Sequence, residues 1–180
     1  TNTPAIIAKT SSCLKITASI PNIAPKVSYD LPKFNFYEQS HPIYNYPDIL
    51  PTSKFLEATL CSTSIASGCQ IGASDFKRCM LGVRSIVADG CTMKNVVMMG
   101  ADNYDSPQNE EISLGVGANS NIQNTIIDKN ARIGRHVFLN PEGLNEGWVD
   151  KKQNIYCKDG ILVVIKNGAV DDGTRIGNDV

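Results

Sequence analysis

Residues 80–93 read Met80-Leu81-Gly82-Val83-Arg84-Ser85-Ile86-Val87-Ala88-Asp89-Gly90-Cys91-Thr92-Met93, and their spacing decides the fold. Leu81, Val87 and Met93 stand six residues apart, a period that suits neither the 3.6-residue turn of a helix nor the two-residue alternation of a strand. A small residue follows Leu81 and Val87 directly, and Asp89-Gly90 adds a turn pair. The same beat runs in both directions: Ile65 and Ile71 before this stretch, then Val116 and Ile122, Ile127 and Ile133, and finally Val164, Val170 and Ile176. Ile71, Val116, Ile133 and Ile176 are each followed by glycine. Such a pattern predicts flattened triangular coils, with one branched apolar residue per side stacking inward and a small, Asn or Asp residue at each corner. The expected class is all-β, a parallel β-helix built as a hexapeptide-repeat solenoid.

Outward from this stretch, the solenoid is expected over residues 59–180, with loop excursions at 101–113 and 139–158. The first excursion is acidic and the second holds the only tryptophan, Trp148. Loops that leave a solenoid on one face are common contact points. Residues 32–58 read as a lead-in segment. Residues 1–31, with Pro4, Pro21, Pro25 and many Ser and Thr, read as an extended N-terminal arm or linker. They show no charged-then-apolar secretory signal.

A chain of 180 residues suits one domain. With 17 basic and 18 acidic residues the net charge is -1, so no excess positive field points to nucleic acid. The run Ile161-Leu-Val-Val-Ile165 is far shorter than the roughly 20 residues that cross a bilayer, so no transmembrane segment is expected. No two of Cys13, Cys61, Cys69, Cys79, Cys91 and Cys157 are separated by two residues, which favours packed, reduced thiols over a zinc or redox site. His41 and His136 are too few for a three-histidine zinc site. No metal, cofactor or catalytic residue is therefore expected.

Several motifs add a resemblance. Pro32-Lys-Phe-Asn-Phe-Tyr37, Pro42-Ile-Tyr44 and Leu50-Pro-Thr-Ser-Lys54 are followed by Gly82-Val-Arg-Ser85, Met98-Met-Gly-Ala-Asp102 with Tyr104, and Gly115-Val-Gly-Ala-Asn119. Ile126-Ile-Asp-Lys-Asn-Ala-Arg-Ile-Gly134 and Gly160-Ile-Leu-Val-Val-Ile-Lys-Asn167 complete the series. In this order they resemble the C-terminal, non-catalytic domain of ADP-glucose pyrophosphorylase (glucose-1-phosphate adenylyltransferase), an enzyme of starch and glycogen synthesis. The resemblance implies a left-handed coil. It also implies that nucleotide transfer belongs to a preceding domain whose Gly-rich phosphate loop and magnesium-holding carboxylates are not found here, so the chain reads as a non-enzyme. Residues 1–31 do not resemble the end of that domain, which suggests a separate gene or a fused leader.

The resemblance further implies that Lys129 and Lys166 match two lysines that bind anionic effectors such as 3-phosphoglycerate, phosphate or sulfate. Two ammonium groups converging on one anion is sound chemistry. The alternative is a pair of solvated surface lysines. Where relatives carry a further anion-binding arginine, this chain has Asp48. Arg84 and Arg132 lie beside turns and are expected to bond neighbouring coils. Asp102, Asn103, Tyr104 and Asp105 open the acidic loop and read as a solvated face, and His136 reads as a turn residue. Three functions remain open: a regulatory or structural partner of catalytic ADP-glucose pyrophosphorylase subunits; a scaffold or linker in another plastid complex, such as a photosynthetic assembly; or, last, a hexapeptide acyltransferase. The family implies a plastid setting.

Overall fold

The computed structural model describes residues 38–40, 49–104 and 111–178. The arm at 1–31, Cys13, His41, Asp48 and Asp105 lie outside the described residues. Every regular element among the described residues is a strand, and the strands wind into stacked three-sided coils.

The first coil comprises β1 (Lys54–Phe55), β2 (Thr59–Cys61) and β3 (Ser64–Ile65), and the second β4 (Gln70–Ile71), β5 (Asp75–Lys77) and β6 (Met80–Leu81). In the third, β7 (Ile86–Val87) is followed by β8 (Thr92–Met98), which bends through a corner and serves two sides. The fourth repeats this with β9 (Gly115–Val116) and β10 (Asn121–Ile127). The fifth contains β11 (Arg132–Ile133) and β12 (Phe138–Leu139), then leaves the coil for β13 (Val149–Asp150) and β14 (Ile155–Lys158) before closing with β15 (Ile161–Val164). The last described strands are β16 (Ala169–Val170) and β17 (Arg175–Ile176).

Parallel pairing between coils aligns three inward columns. Phe55, Ile71, Val87, Val116, Ile133 and Val170 form the first. Leu60, Phe76, Met93, Ile122, Leu139 and Ile176 form the second. Ile65, Leu81, Met98, Ile127 and Val164 form the third. Below the first coil these side chains are almost wholly buried. Burying one such side chain stabilises the fold by about 1.5–3 kcal/mol. At the top of the stack Phe55 and Leu60 remain 42% and 44% exposed, because strands pair with that coil on one side only among the described residues.

The period is not uniformly six. Phe76 to Leu81, Met93 to Met98 and Ile122 to Ile127 are steps of five. Each of these corners is turned by one residue with positive φ: Arg78 (54°), Asn95 (55°) and Asn124 (46°). Asn tolerates this conformation better than most L residues. The corner side chains also form a ladder, in which Arg78 Nε donates to Asn95 Oδ1 and Asn95 Nδ2 donates to Asn124 Oδ1, each at 2.6 Å.

Small polar residues line the inside of another corner and satisfy the backbone there. Ser74 Oγ donates to the Ala88 carbonyl at 2.8 Å and accepts from the Cys91 N–H at 3.0 Å. Ser120 does the same between Gly134 and Val137. Among the described residues no buried side-chain nitrogen or oxygen lacks a partner. Cys69, Cys79, Cys91 and Cys157 are buried thiols outside any disulfide, and Cys61 is half-buried. Desolvation raises the thiol pKa of Cys79, Cys91 and Cys157, so these groups act as small apolar fillers.

The 139–158 stretch adds sheet as well as loop. β13 and β14 form an antiparallel hairpin, and β14 pairs antiparallel with β15, so the third side is extended by two strands. Ile155 and Cys157 point into the core, and Trp148 packs against it.

Candidate functional site

Lys129, Lys166 and Asp102 follow β10, β15 and β8, which are parallel neighbours, so their corners come to lie one above another. Backbone bonds fix the stacking: the Asn130 N–H donates to Gly100 O and the Asn167 N–H to Lys129 O, both at 3.0 Å. Asn130 and Asn167 take the left-handed conformation at φ 60° and 58°. Gly100, at φ 87°, lies so close to the Val83 carbonyl that a side chain would collide with it. This close approach brings Asp102 onto the column.

Both oxygens of the Asp102 carboxylate are engaged. Lys129 Nζ donates to Oδ1 at 2.9 Å, Asn130 Nδ2 donates to Oδ2 at 2.9 Å, and Lys166 Nζ lies 3.5 Å from Oδ2. The Asp102 N–H donates in return to Asn130 Oδ1 at 2.8 Å, and Asn130 Nδ2 also reaches Asn167 Oδ1 at 3.2 Å. The hydrogen bond from Lys129, with that from Asn130, lowers the Asp102 pKa to about 2, so the carboxylate is ionised at neutral pH. The side chains of Lys129, Asp102 and Lys166 are 45%, 41% and 54% exposed, and water and salt screen the pairing.

Lys129 and Lys166 thus converge on the Asp102 carboxylate. The group between them, Asp102, was legible only as the start of an acidic loop. Nearby, Arg84 Nη1 lies 3.5 Å from the Ala101 carbonyl, and its guanidinium lies 5.9 Å from the centre of the Tyr104 ring. Tyr104 donates its hydroxyl proton to Gly68 O at 2.9 Å, and Arg132 Nη1 donates to Ile112 O at 2.8 Å. Both arginines therefore hold the two described ends of the first excursion. His136 sits at a corner with φ 55°. Among the described residues no cluster of three or more His, Cys, Asp or Glu could hold a metal ion.

A second feature carries no sequence motif. On the outer surface of the third side, strand register aligns Met80, Val97, Ile126, Val163, Tyr156 and Val149 in one unbroken apolar row. Each retains exposed surface, with Tyr156 at 37% and Val149 at 40%. Six strands at about 4.8 Å spacing make the row about 24 Å long. No described helix is long and apolar enough to cross a membrane.

The sequence model of the GLGC left-handed parallel beta-helix domain matches residues 48–175. The chain belongs to this family. The coil is therefore left-handed, an exception to the usual right-handed crossover. A glucose-1-phosphate adenylyltransferase small subunit, chloroplastic/amyloplastic, from Triticum aestivum is 36% identical over 154 residues, covering 81% of this chain and 32% of the relative. A glucose-1-phosphate adenylyltransferase large subunit 1, chloroplastic/amyloplastic, from Zea mays is 34% identical over 152 residues, covering 80% of this chain and 29% of the relative. The chain thus spans about a third of the length of these curated relatives.

Proposed function

We propose that this chain is a non-catalytic regulatory or structural relative of ADP-glucose pyrophosphorylase that acts in a plastid by assembling with catalytic subunits. The apolar row from Met80 to Val149 carries this reading. A flat sheet face of this kind packs against another sheet or an apolar surface, and its burial is the main source of free energy in stable association. The two relatives are named as subunits and as chloroplastic/amyloplastic proteins, which supports both the partner class and the compartment.

The convergence of Lys129 and Lys166 adds a regulatory element, a site for a multivalent oxyanion such as 3-phosphoglycerate, phosphate or sulfate. Two ammonium groups and the Asn130 amide present donors to a single pair of oxygens, the arrangement that an oxyanion needs.

Affinity purification of the native protein tests the assembly. Mass spectrometry is expected to find a nucleotidyltransferase subunit in stoichiometric amount. Recovery without any nucleotidyltransferase would sink the proposal, and recovery with photosynthetic proteins would replace it with the scaffold reading.

A further inference from the structure

We propose that Asp102 is a built-in competitor for the anion site, a tethered carboxylate that holds Lys129 and Lys166 until a free oxyanion displaces it. The inference rests on the anion reading of those lysines and names how their site is regulated.

The geometry supports occupancy rather than mere proximity. A carboxylate offers two oxygens to donors, and both are in use: one by Lys129, the other by Asn130 and Lys166. A phosphate or sulfate would seek the same three donors, because an ammonium or amide N–H bonds to any anionic oxygen in reach. The two ligands therefore exclude each other. With Asp102 in place the three ionised groups sum to a single positive charge. An arriving dianion meets that reduced field together with a fixed negative charge.

Displacement is feasible because the contact is exposed. All three charged side chains keep about half of their surface in water, so a released carboxylate can be rehydrated at once. Its backbone need not move. The Asp102 N–H bond to Asn130 Oδ1 fixes the main chain, and rotation about the side-chain torsion swings the carboxylate into solvent. That rotation also frees Asn130 Nδ2, which is otherwise shared with Asn167 Oδ1, as a third donor for the incoming ligand. A monovalent anion brings the same charge as the tethered group and lacks its proximity. The device thus filters for multivalent oxyanions and sets a threshold concentration below which the site stays closed.

Calorimetric titration of inorganic phosphate into the full chain at low ionic strength tests this, using the wild type, Asp102→Asn and the triple variant Asp102→Asn/Lys129→Gln/Lys166→Gln. Asn at 102 keeps the shape and an acceptor for the lysines but removes the charge. Phosphate is expected to bind Asp102→Asn roughly three- to tenfold more tightly than the wild type, the range to which one or two exposed ion pairs correspond. The triple variant is expected to bind none. Asp102→Ser, whose short side chain cannot span the lysines, is a second variant and is expected to match Asp102→Asn; far-UV circular dichroism checks that each retains the fold. Equal or weaker binding by both single variants overturns the competitor while leaving the anion site standing. Binding that persists in the triple variant overturns it as well, since the phosphate would then lie elsewhere. Absence of heat with every form removes the anion site and the competitor together.

Discussion

The second and third sides of the coil share strands and a core yet present opposite surfaces to water. On the second side the outward register runs Thr59, Asp75, Thr92, Asn121, Phe138 and Arg175, and its one aromatic is covered by the Arg175 guanidinium 5.0 Å from the ring centre. On the third side the row from Met80 to Val149 carries no charge and no such cover. β8 and β10 pass from one side to the other within seven residues each, polar before the corner and apolar after it. Local strand propensity cannot account for the change, because the same strand supplies both surfaces. What differs is the demand made on the outer face, and the apolar one has the composition of a surface that is covered in use.

The largest effect separates the inner and outer residues of one strand. Ile127→Ala, at a fully buried position, is expected to cost about 2–5 kcal/mol in urea unfolding, and Ile126→Ala, its outward neighbour, less than about 1 kcal/mol in the isolated chain. Equal losses would mean that the outer row belongs to the core, and the contrast between faces would disappear.

Next comes the corner that divides the two surfaces. Asn95→Ala places alanine at φ 55° and removes bonds to Arg78 and Asn124, so a loss of about 1–2 kcal/mol is expected from the conformation alone. Asn95→Gly, which relieves the conformation, should recover part of it when both variants are compared by urea unfolding. No difference between the two would place the cost in the side-chain ladder.

The smallest effect on folding is the most informative for function. Val163→Lys on the apolar face is expected to weaken capture of the partner subunit at least tenfold, a factor equivalent to about 1.4 kcal/mol, while leaving the melting temperature within a few degrees. Thr92→Lys on the polar face should leave capture unchanged. If both substitutions act alike, the apolar row is not the contact.

Much of this architecture was legible because stacking forces repetition. Ile65 and Ile71, or Leu81, Val87 and Met93, reveal the coil since each must fill an equivalent place in the interior. Phe76 and Met98 fell out of the six-residue beat because the corner after the second side is turned by a single left-handed residue, which makes the steps Phe76 to Leu81 and Met93 to Met98 five residues long. The site was half legible. Lys129 and Lys166 sit in motifs that their resemblance to relatives marks out, whereas Asp102 reaches Lys129 across 27 residues through inter-coil register that the sequence does not display. The outer apolar row was hidden for the same reason. Its members come from six separate strands, each of which looks ordinary in isolation.

The one-sided pairing of the first coil among the described residues has a dynamic consequence. In a solenoid each layer gains its cohesion from the layers above and below, so there is no single nucleus whose loss opens everything at once. Amide protons of β1, β2 and β3 should exchange with deuterated solvent first and those of β10 and β15 last, a gradient along the axis that marks the top layer as a fraying end.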